Sequence, residues 1–280
     1  MEINQLENKV KNTIKEYQLC SKKDKIIVAI SGGKDSTTAL YLLKKFGYKV
    51  EALIINLMIG KWSKESLRNV KAFCKKHKIK LHIINMRKEF GLSLCHIRSN
   101  IQTKEKLNNC LICGVIKRWL LNKKTRELKA TKLVTGHNLD DEAETLLMNT
   151  IKGNLKMSLT LGPKTGIVKD KKFVERIKPL YFLTNKEIKA YSKQMKFPIH
   201  YAACPCSITS LRRDVRKLIK NLEKEEPNAK MNIVENFLKI LPRLKRLYKS
   251  QKELKYCKIC QEPSRNEICK RCQLLKILKQ

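Results

Sequence analysis

No stretch of this 280-residue chain approaches the roughly 20 consecutive apolar residues that cross a bilayer, so no membrane partner is expected. The first residues, Met1-Glu2-Ile3-Asn4-Gln5, lack the basic-then-apolar layout of a secretory signal, and a cytoplasmic location is the expectation. Acidic side chains are scarce. Only 25 Asp and Glu stand against 62 Lys and Arg, a formal net charge of +37. The surface must carry a strong positive field, and basic residues recur all along the chain instead of in one tail. That distribution predicts a folded surface tracking a nucleic-acid backbone; a solvated Lys-rich surface without a partner is the alternative reading. No internal repeat and no low-complexity segment beyond the Lys bias is visible. In a reducing compartment the eleven cysteines are not a disulfide framework, and their paired spacings favour metal or redox chemistry.

The most informative stretch is Ser31-Gly32-Gly33-Lys34-Asp35-Ser36, between a β-type run, Ile26 to Ile30, and a helix-type run, Thr37 to Phe46. Two adjacent glycines let the backbone turn sharply toward a ligand. The helix that follows aims free N–H groups and its positive dipole end into the turn. Ser31 and Ser36 add hydroxyls and Lys34 a point charge, while Asp35 beside an anion makes sense if Mg²⁺ bridges the two. The spacing is not that of a Walker loop.

Strand-like runs rich in Ile, Leu and Val recur at 26–30, 50–57, 79–85 and 132–136, with helix-length segments at 36–46, 63–77, 111–128 and 139–152. This alternation predicts an α/β fold with a doubly wound, Rossmann-like parallel sheet. The ligand then lies beyond the carboxyl ends of the strands, where Ser31, Asn56, Met86 and Gly136 fall. The expected organisation is an N-terminal helix in 1–24, a nucleotide-binding domain in 25–203, a basic helical region in 204–255 and a cysteine module in 256–280. From Ser207 to Tyr256 the pattern is helical, with Pro227 and Pro242 as expected breaks. Between Leu211 and Lys255, fourteen Lys and Arg stand against six Asp and Glu. Arg212, Arg213 and Arg216 are the expected phosphate contacts there.

Cys257-x2-Cys260 and Cys269-x2-Cys272, eight residues apart, form a four-thiolate knuckle suited to tetrahedral Zn²⁺. A stretch this short and polar has almost no core without the metal, so the site is read as structural. Cys110-x2-Cys113 has no second pair at zinc-finger distance and runs into a helix-type stretch. If that helix begins near Cys110, then Cys110, Cys113 and Lys117 share one face. A third candidate thiol lies in Cys204-Pro205-Cys206. Three cysteines holding a [4Fe-4S] cluster leave one iron open to sulfide; a catalytic disulfide or persulfide pair without iron is the other reading of the same residues.

Asn138 reads as a helix N-cap, and Asp140, Asp141 and Glu142 suit a positive helix end, with capping and function balanced for Asp141. Trp62, His77, His82 and His96 read as packing or surface residues, and Cys74 and Cys95 as buried small apolar groups.

Taken in order, Ser31 to Ser36, Cys110-x2-Cys113-Gly114-x2-Lys117-Arg118, Gly136-His137-Asn138-Leu139-Asp140-Asp141, Gly162-Pro163, Lys178-Pro179-Leu180 and Cys204-Pro205 resemble the tRNA thiolation family of PP-loop ATP pyrophosphatases. The terminal knuckle is similar to that of its 2-thiouridine synthetase branch. The resemblance implies adenylation of the uridine C2 oxygen by ATP, with release of pyrophosphate, and then sulfur transfer. It makes Cys110, Cys113 and Cys204 cluster ligands and Lys117 and Asp141 the catalytic polar residues. Ser31 to Ser36 with Gly136 and His137 become the ATP site. The implied partners are tRNA and a sulfur donor, whether sulfide, a persulfide or a ubiquitin-like thiocarboxylate protein; a homodimer is compatible. The chain departs from this branch in two places. Only Cys20 precedes the loop, where the branch usually carries another zinc module, and Cys206 stands where an aromatic residue usually follows Cys-Pro. A 2-thiocytidine synthetase and a PP-loop tRNA-modifying ligase without sulfur chemistry are the alternatives. A noncatalytic zinc-ribbon RNA binder would need only the knuckle and the charge.

Overall fold

The computed structural model describes residues 3–165, 170–202, 204–206, 211–248 and 255–279. Along the chain run α1 (Ile3–Glu16), β1 (Ile26–Ala29), α2 (Lys34–Lys45), β2 (Val50–Asn56), α3 (Gly60–Lys76), β3 (Leu81–Asn85), α4 (Met86–Phe90), α5 (Leu94–Gln102), α6 (Asn109–Glu127), β4 (Lys132–Val134), α7 (Leu139–Ile151), α8 (Leu155–Ser158), β5 (Glu175–Ile177), α9 (Asn185–Gln194), α10 (Leu211–Glu225), α11 (Ala229–Leu247), β6 (Lys255–Tyr256), β7 (Pro263–Ser264) and α12 (Lys270–Lys279).

The central sheet has the order β3-β2-β1-β4-β5 and every pairing in it is parallel. Continuous apolar runs such as Ile26–Ala29 suit this arrangement, because both faces of a parallel sheet are covered. Side chains alternate across the sheet. Val28, Ala52, Val134 and Ile177 enter one core, shared with residues of α1, α2, α3 and α9. Ile27, Leu53, Ile84 and Leu133 enter the other, shared with α5, α6 and, through Leu274, α12. The winding reverses between β1 and β4, and the loops leaving these two neighbours carry the glycine-rich motif and Gly136. That reversal is the expected ligand position in an open α/β sheet.

A third core joins α7 to the basic helices: Leu139, Ala143 and Leu146 pack with Tyr181, Val215, Ile219 and Val234. The expected break at Pro227 falls between α10 and α11, but α11 runs through Pro242. One helical hydrogen bond is lost there. Leu238 and Leu241 lie beside the Gly162 turn. The expected helical stretch from Ser207 to Ser210 lies outside the described residues. No helix among the described residues is long and apolar enough to cross a membrane.

Candidate active site

The loop after β1 curls on itself. Ser31 N donates to Ser36 Oγ at 3.1 Å, and Ser36 Oγ donates to Gly33 O at 3.3 Å. Gly32 has φ +83°, and a Cβ there would stand 3.0 Å from Ser66 Cβ, so this position demands glycine twice over. Gly33, by contrast, is extended, and a Cβ would meet only Ser31 Oγ at 3.6 Å. No side chain caps α2, and Thr37 is the first amide to close on a carbonyl, at Gly33 O. The preceding amides of the first turn have no acceptor among the described residues.

The facing wall comes from the loop after β4. A Cβ on Gly136 would lie 2.6 Å from Ser36 N and 2.8 Å from the Asp35 carbonyl carbon, so only glycine lets the two loops meet. Lys34 Nζ donates to Asp35 Oδ1 at 2.6 Å and to Asn185 Oδ1 at 2.5 Å. Asn138 Nδ2 donates to the same two oxygens at 2.9 and 3.2 Å. Asp35 Oδ2 takes no hydrogen bond or ion pair among the described residues. Asn185 escaped the sequence reading, because a lone polar residue opening a helix carries no signal. Its amide donates to Asp140 Oδ2 at 2.7 Å.

Asp141 and Asn138 form a reciprocal capping box at the start of α7. The Asp141 side chain keeps 28% of its surface exposed. Crowding by surrounding protein raises its pKa to about 6; Arg212 opposes that shift, and repulsion from Asp35 and Glu144 adds to it. His137 Nδ1 pairs with Thr135 Oγ1 at 2.8 Å. Burial, then the charges of Lys178, Arg176, Arg212 and Lys117, hold its imidazole well below the usual range. Solvent reaches His137, Asp141, Arg118 and Arg176, yet protein atoms crowd each of them.

The capping role expected for Asp140 and Glu142 is corrected. Both are buried ion-pair partners, Asp140 with Lys230 at 2.8 Å and Glu142 with Lys178 at 2.6 Å. Glu144, 1% exposed, takes Arg212 at 3.1 Å and Arg216 at 2.6 Å. Two of the three arginines expected to grip phosphates are therefore bound to a buried carboxylate, where leaving an uncompensated charge would be costly.

The α6 helix starts where the cysteine spacing required. Asn108 caps it, accepting from Cys110 N at 2.7 Å. Cys110 is exposed on the first turn, while Cys113 is half-buried against the second core together with Cys204, Cys206 and Cys95. Cys95 is thus no isolated apolar group: it touches Cys206, which also accepts from Arg98. Arg98 Nε is buried without a partner. Cys113 lies close enough to Cys204 and Cys95 for their charges to interact.

The terminal cysteines are arranged differently. The sulfurs of Cys257, Cys260, Cys269 and Cys272 all lie within 4.8 Å of one another, and this is the one such thiol group among the described residues. Cys269 N donates to Cys257 Sγ at 3.3 Å and Cys272 N to Cys269 Sγ at 3.4 Å. Four thiolates under backbone donors suit a soft tetrahedral ion. The module is docked on α6: Arg126 Nη1 meets Glu262 Oε2 at 3.0 Å, the Arg271 guanidinium lies 4.1 Å from the Trp119 ring centroid, and Leu274 is fully buried.

The PP-loop domain family matches residues 3–222. The chain is similar to a tRNA-5-methyluridine(54) 2-sulfurtransferase of Pyrococcus horikoshii, with 36% identity over 270 residues, 95% of this chain and 83% of the relative. It is also similar to cytoplasmic tRNA 2-thiolation protein 1 of Candida glabrata, with 32% identity over 283 residues, 96% of this chain and 77% of the relative. Among solved structures, the U34-tRNA thiolase NcsA from Methanococcus maripaludis with its [4Fe-4S] cluster matches at a TM-score of 0.81 and 30% identity, covering 98% of this chain and 87% of that one.

Proposed function

The chain belongs to the PP-loop family, and from that premise we propose that it is a tRNA 2-thiouridine synthetase, forming AMP and pyrophosphate from ATP. One observation carries the reading: Gly136 brings the glycine-built cradle against the loop of His137, Lys117 of the Cys110–Cys113 helix lies near enough for its charge to act on His137, and Asp35 of the cradle acts likewise on Asp141. A PP-loop ligase that adds an amine would need the cradle alone. The thiols of the same helix favour sulfur chemistry.

The C2 carbonyl of uracil is a poor electrophile and oxide a poor leaving group. Attack of O2 on the α-phosphorus of ATP breaks the bond to the bridging oxygen, and pyrophosphate leaves toward the open α2 amides and Lys34. Lys117 polarises O2 as it attacks. Asp141, ionised at neutral pH yet with a pKa near 6, takes the N3 proton. Sulfide then attacks C2 to form the C–S bond, the C2–O bond breaks so that AMP leaves carrying the former uracil oxygen, and the proton on sulfur passes to N3 to give 2-thiouracil.

Asp35 is the ligand for Mg²⁺, which neutralises phosphate charge when bound. Cys110, Cys113 and Cys204 would hold a [4Fe-4S] cluster, which supplies an iron without a protein ligand for sulfur. Zn²⁺ in the terminal knuckle is structural, because four thiolates leave it no open position. With Arg212 and Arg216 engaged by Glu144, the grip on tRNA falls to Lys217, Lys220 and Lys224, exposed along α10.

Incubation with ATP, unmodified tRNA and sulfide under anaerobic conditions should yield AMP, pyrophosphate and 2-thiouridine by nucleoside mass spectrometry. Formation of ADP and phosphate instead would overturn the reading.

A further inference from the structure

The α6 helix lies along the segment that becomes β5, and its side chains meet that segment at regular steps. Arg126 Nη1 donates to Lys172 O at 2.8 Å. One turn toward the N-terminus, Asn122 accepts from Val174 N at 3.0 Å and donates to Lys172 O at 2.8 Å. The next step of the same ladder brings Arg118 beside Arg176. Here no acceptor waits.

Arg176 pairs in register with Leu133, whose side chain belongs to the core under α6, so the guanidinium rises on the α6 face of the edge strand. Arg118 folds back over its own helix: a Cβ on Gly114 would stand 2.9 Å from Arg118 Nη1, so glycine is what lets the guanidinium lie beside Cys113. Neither guanidinium has an ion-pair or hydrogen-bond partner among the described residues. Arg118 is exposed and Arg176 half-buried, and Arg176 lies close enough to Arg118 for its charge to be felt. Lys178, Arg212 and Arg216 nearby, by contrast, rest on carboxylates. Two neighbouring guanidiniums without a carboxylate partner among the described residues favour an anion between them. Two planar donor forks match the oxygens of one phosphate.

We infer that Arg118 and Arg176 form a phosphate-binding subsite that takes a backbone phosphodiester of the substrate RNA beside the target nucleotide. The inference rests on the proposed function. The phosphates of ATP have their own cradle, in the loop after β1. Arg118 lies by Cys113 and Arg176 by His137, on the recess between cradle and thiols that the target base must enter. A phosphate clamped there fixes how deep the nucleotide sits.

The test uses the full chain, Arg118→Gln, Arg176→Gln and the double variant, with an unmodified tRNA transcript. Binding is read by fluorescence anisotropy between about 50 and 200 mM salt. Each single variant should bind on the order of tenfold more weakly at low salt, and the double variant should lose about one unit of log–log salt slope. Affinity for ATP without tRNA should not change, and the melting temperature should hold or rise as the repulsion is relieved. Unchanged tRNA affinity and slope in the double variant would overturn the inference. Weaker ATP binding with unchanged tRNA binding would assign the subsite to the nucleotide and equally overturn it, as would a fall in melting temperature that accounts for the lost affinity. Absence of salt-dependent tRNA binding by the wild-type chain would instead sink the proposed function itself.

Discussion

The two cysteine sites of this chain are built on opposite principles. In the terminal knuckle the four sulfurs lie within 4.8 Å of one another, Cys257 and Cys272 are buried, and backbone amides point at sulfur. At the mouth of the recess Cys110 is exposed, Cys113, Cys204, Cys206 and Cys95 are half-buried, and the neighbours are arginines. One arrangement closes a coordination sphere and the other leaves sulfur within reach of a substrate. Exposure and local charge, more than cysteine count, separate a site that holds from a site that exchanges.

The widest separation should come from serine at the mouth. Cys113→Ser should abolish 2-thiouridine formation by mass spectrometry while leaving the melting temperature within a few degrees of wild type. Substantial thiolation by that variant would erase the distinction.

The reverse experiment weakens the knuckle's seat. Leu274→Ala removes a fully buried side chain from the core under α6 and should cost about 2–5 kcal/mol. Denaturant titration would read that loss, and thiolation at a temperature where the variant stays folded should survive. Loss of thiolation in the folded variant would show that the two sites are coupled.

The smallest effect concerns Asp141, which belongs to the mouth. Folding raises its carboxyl from roughly 3.9 in the unfolded chain to about 6, so the folded state holds the proton more tightly. Stability on this account is full below the unfolded value and declines as pH rises through the window up to about 6. Asp141→Asn should therefore be more stable than wild type at pH 8, by up to about 3 kcal/mol, and equal to it near pH 3. A stability difference independent of pH would show that the capping box alone explains the residue.

Sequence carried most of the fold and the outline of the site, because the signals were contiguous. Apolar runs marked β1 to β4, and the glycine pair, the Cys-x2-Cys spacing and the terminal knuckle each sat in one local stretch. What escaped was made by tertiary contact. β5 is three residues with one buried side chain, Ile177, so its apolar signal is nearly absent. Asn185 and Arg176 acquire meaning only when strand order brings them beside Lys34 and Arg118. The acids of α7 look like helix-end charges along the sequence, yet Glu142 and Glu144 are 2% and 1% exposed and anchor cations from other elements. Charge alone likewise could not tell that Arg212 and Arg216 were already engaged. Gly32 and Gly33 look alike in sequence, and only the structure shows that Gly32 alone has the positive φ and the close protein neighbour.

The division between the two sites can be measured directly by anaerobic reconstitution with iron and sulfide, followed by visible spectroscopy and metal analysis of wild type, Cys110→Ser, Cys113→Ser, Cys204→Ser, Cys206→Ser and Cys257→Ser. The first three variants should lose the iron-dependent absorption and keep one zinc, whereas Cys257→Ser should lose zinc and keep the absorption, as Cys206→Ser keeps both. Loss of the iron signal in Cys257→Ser, or its retention in Cys113→Ser, would contradict the account.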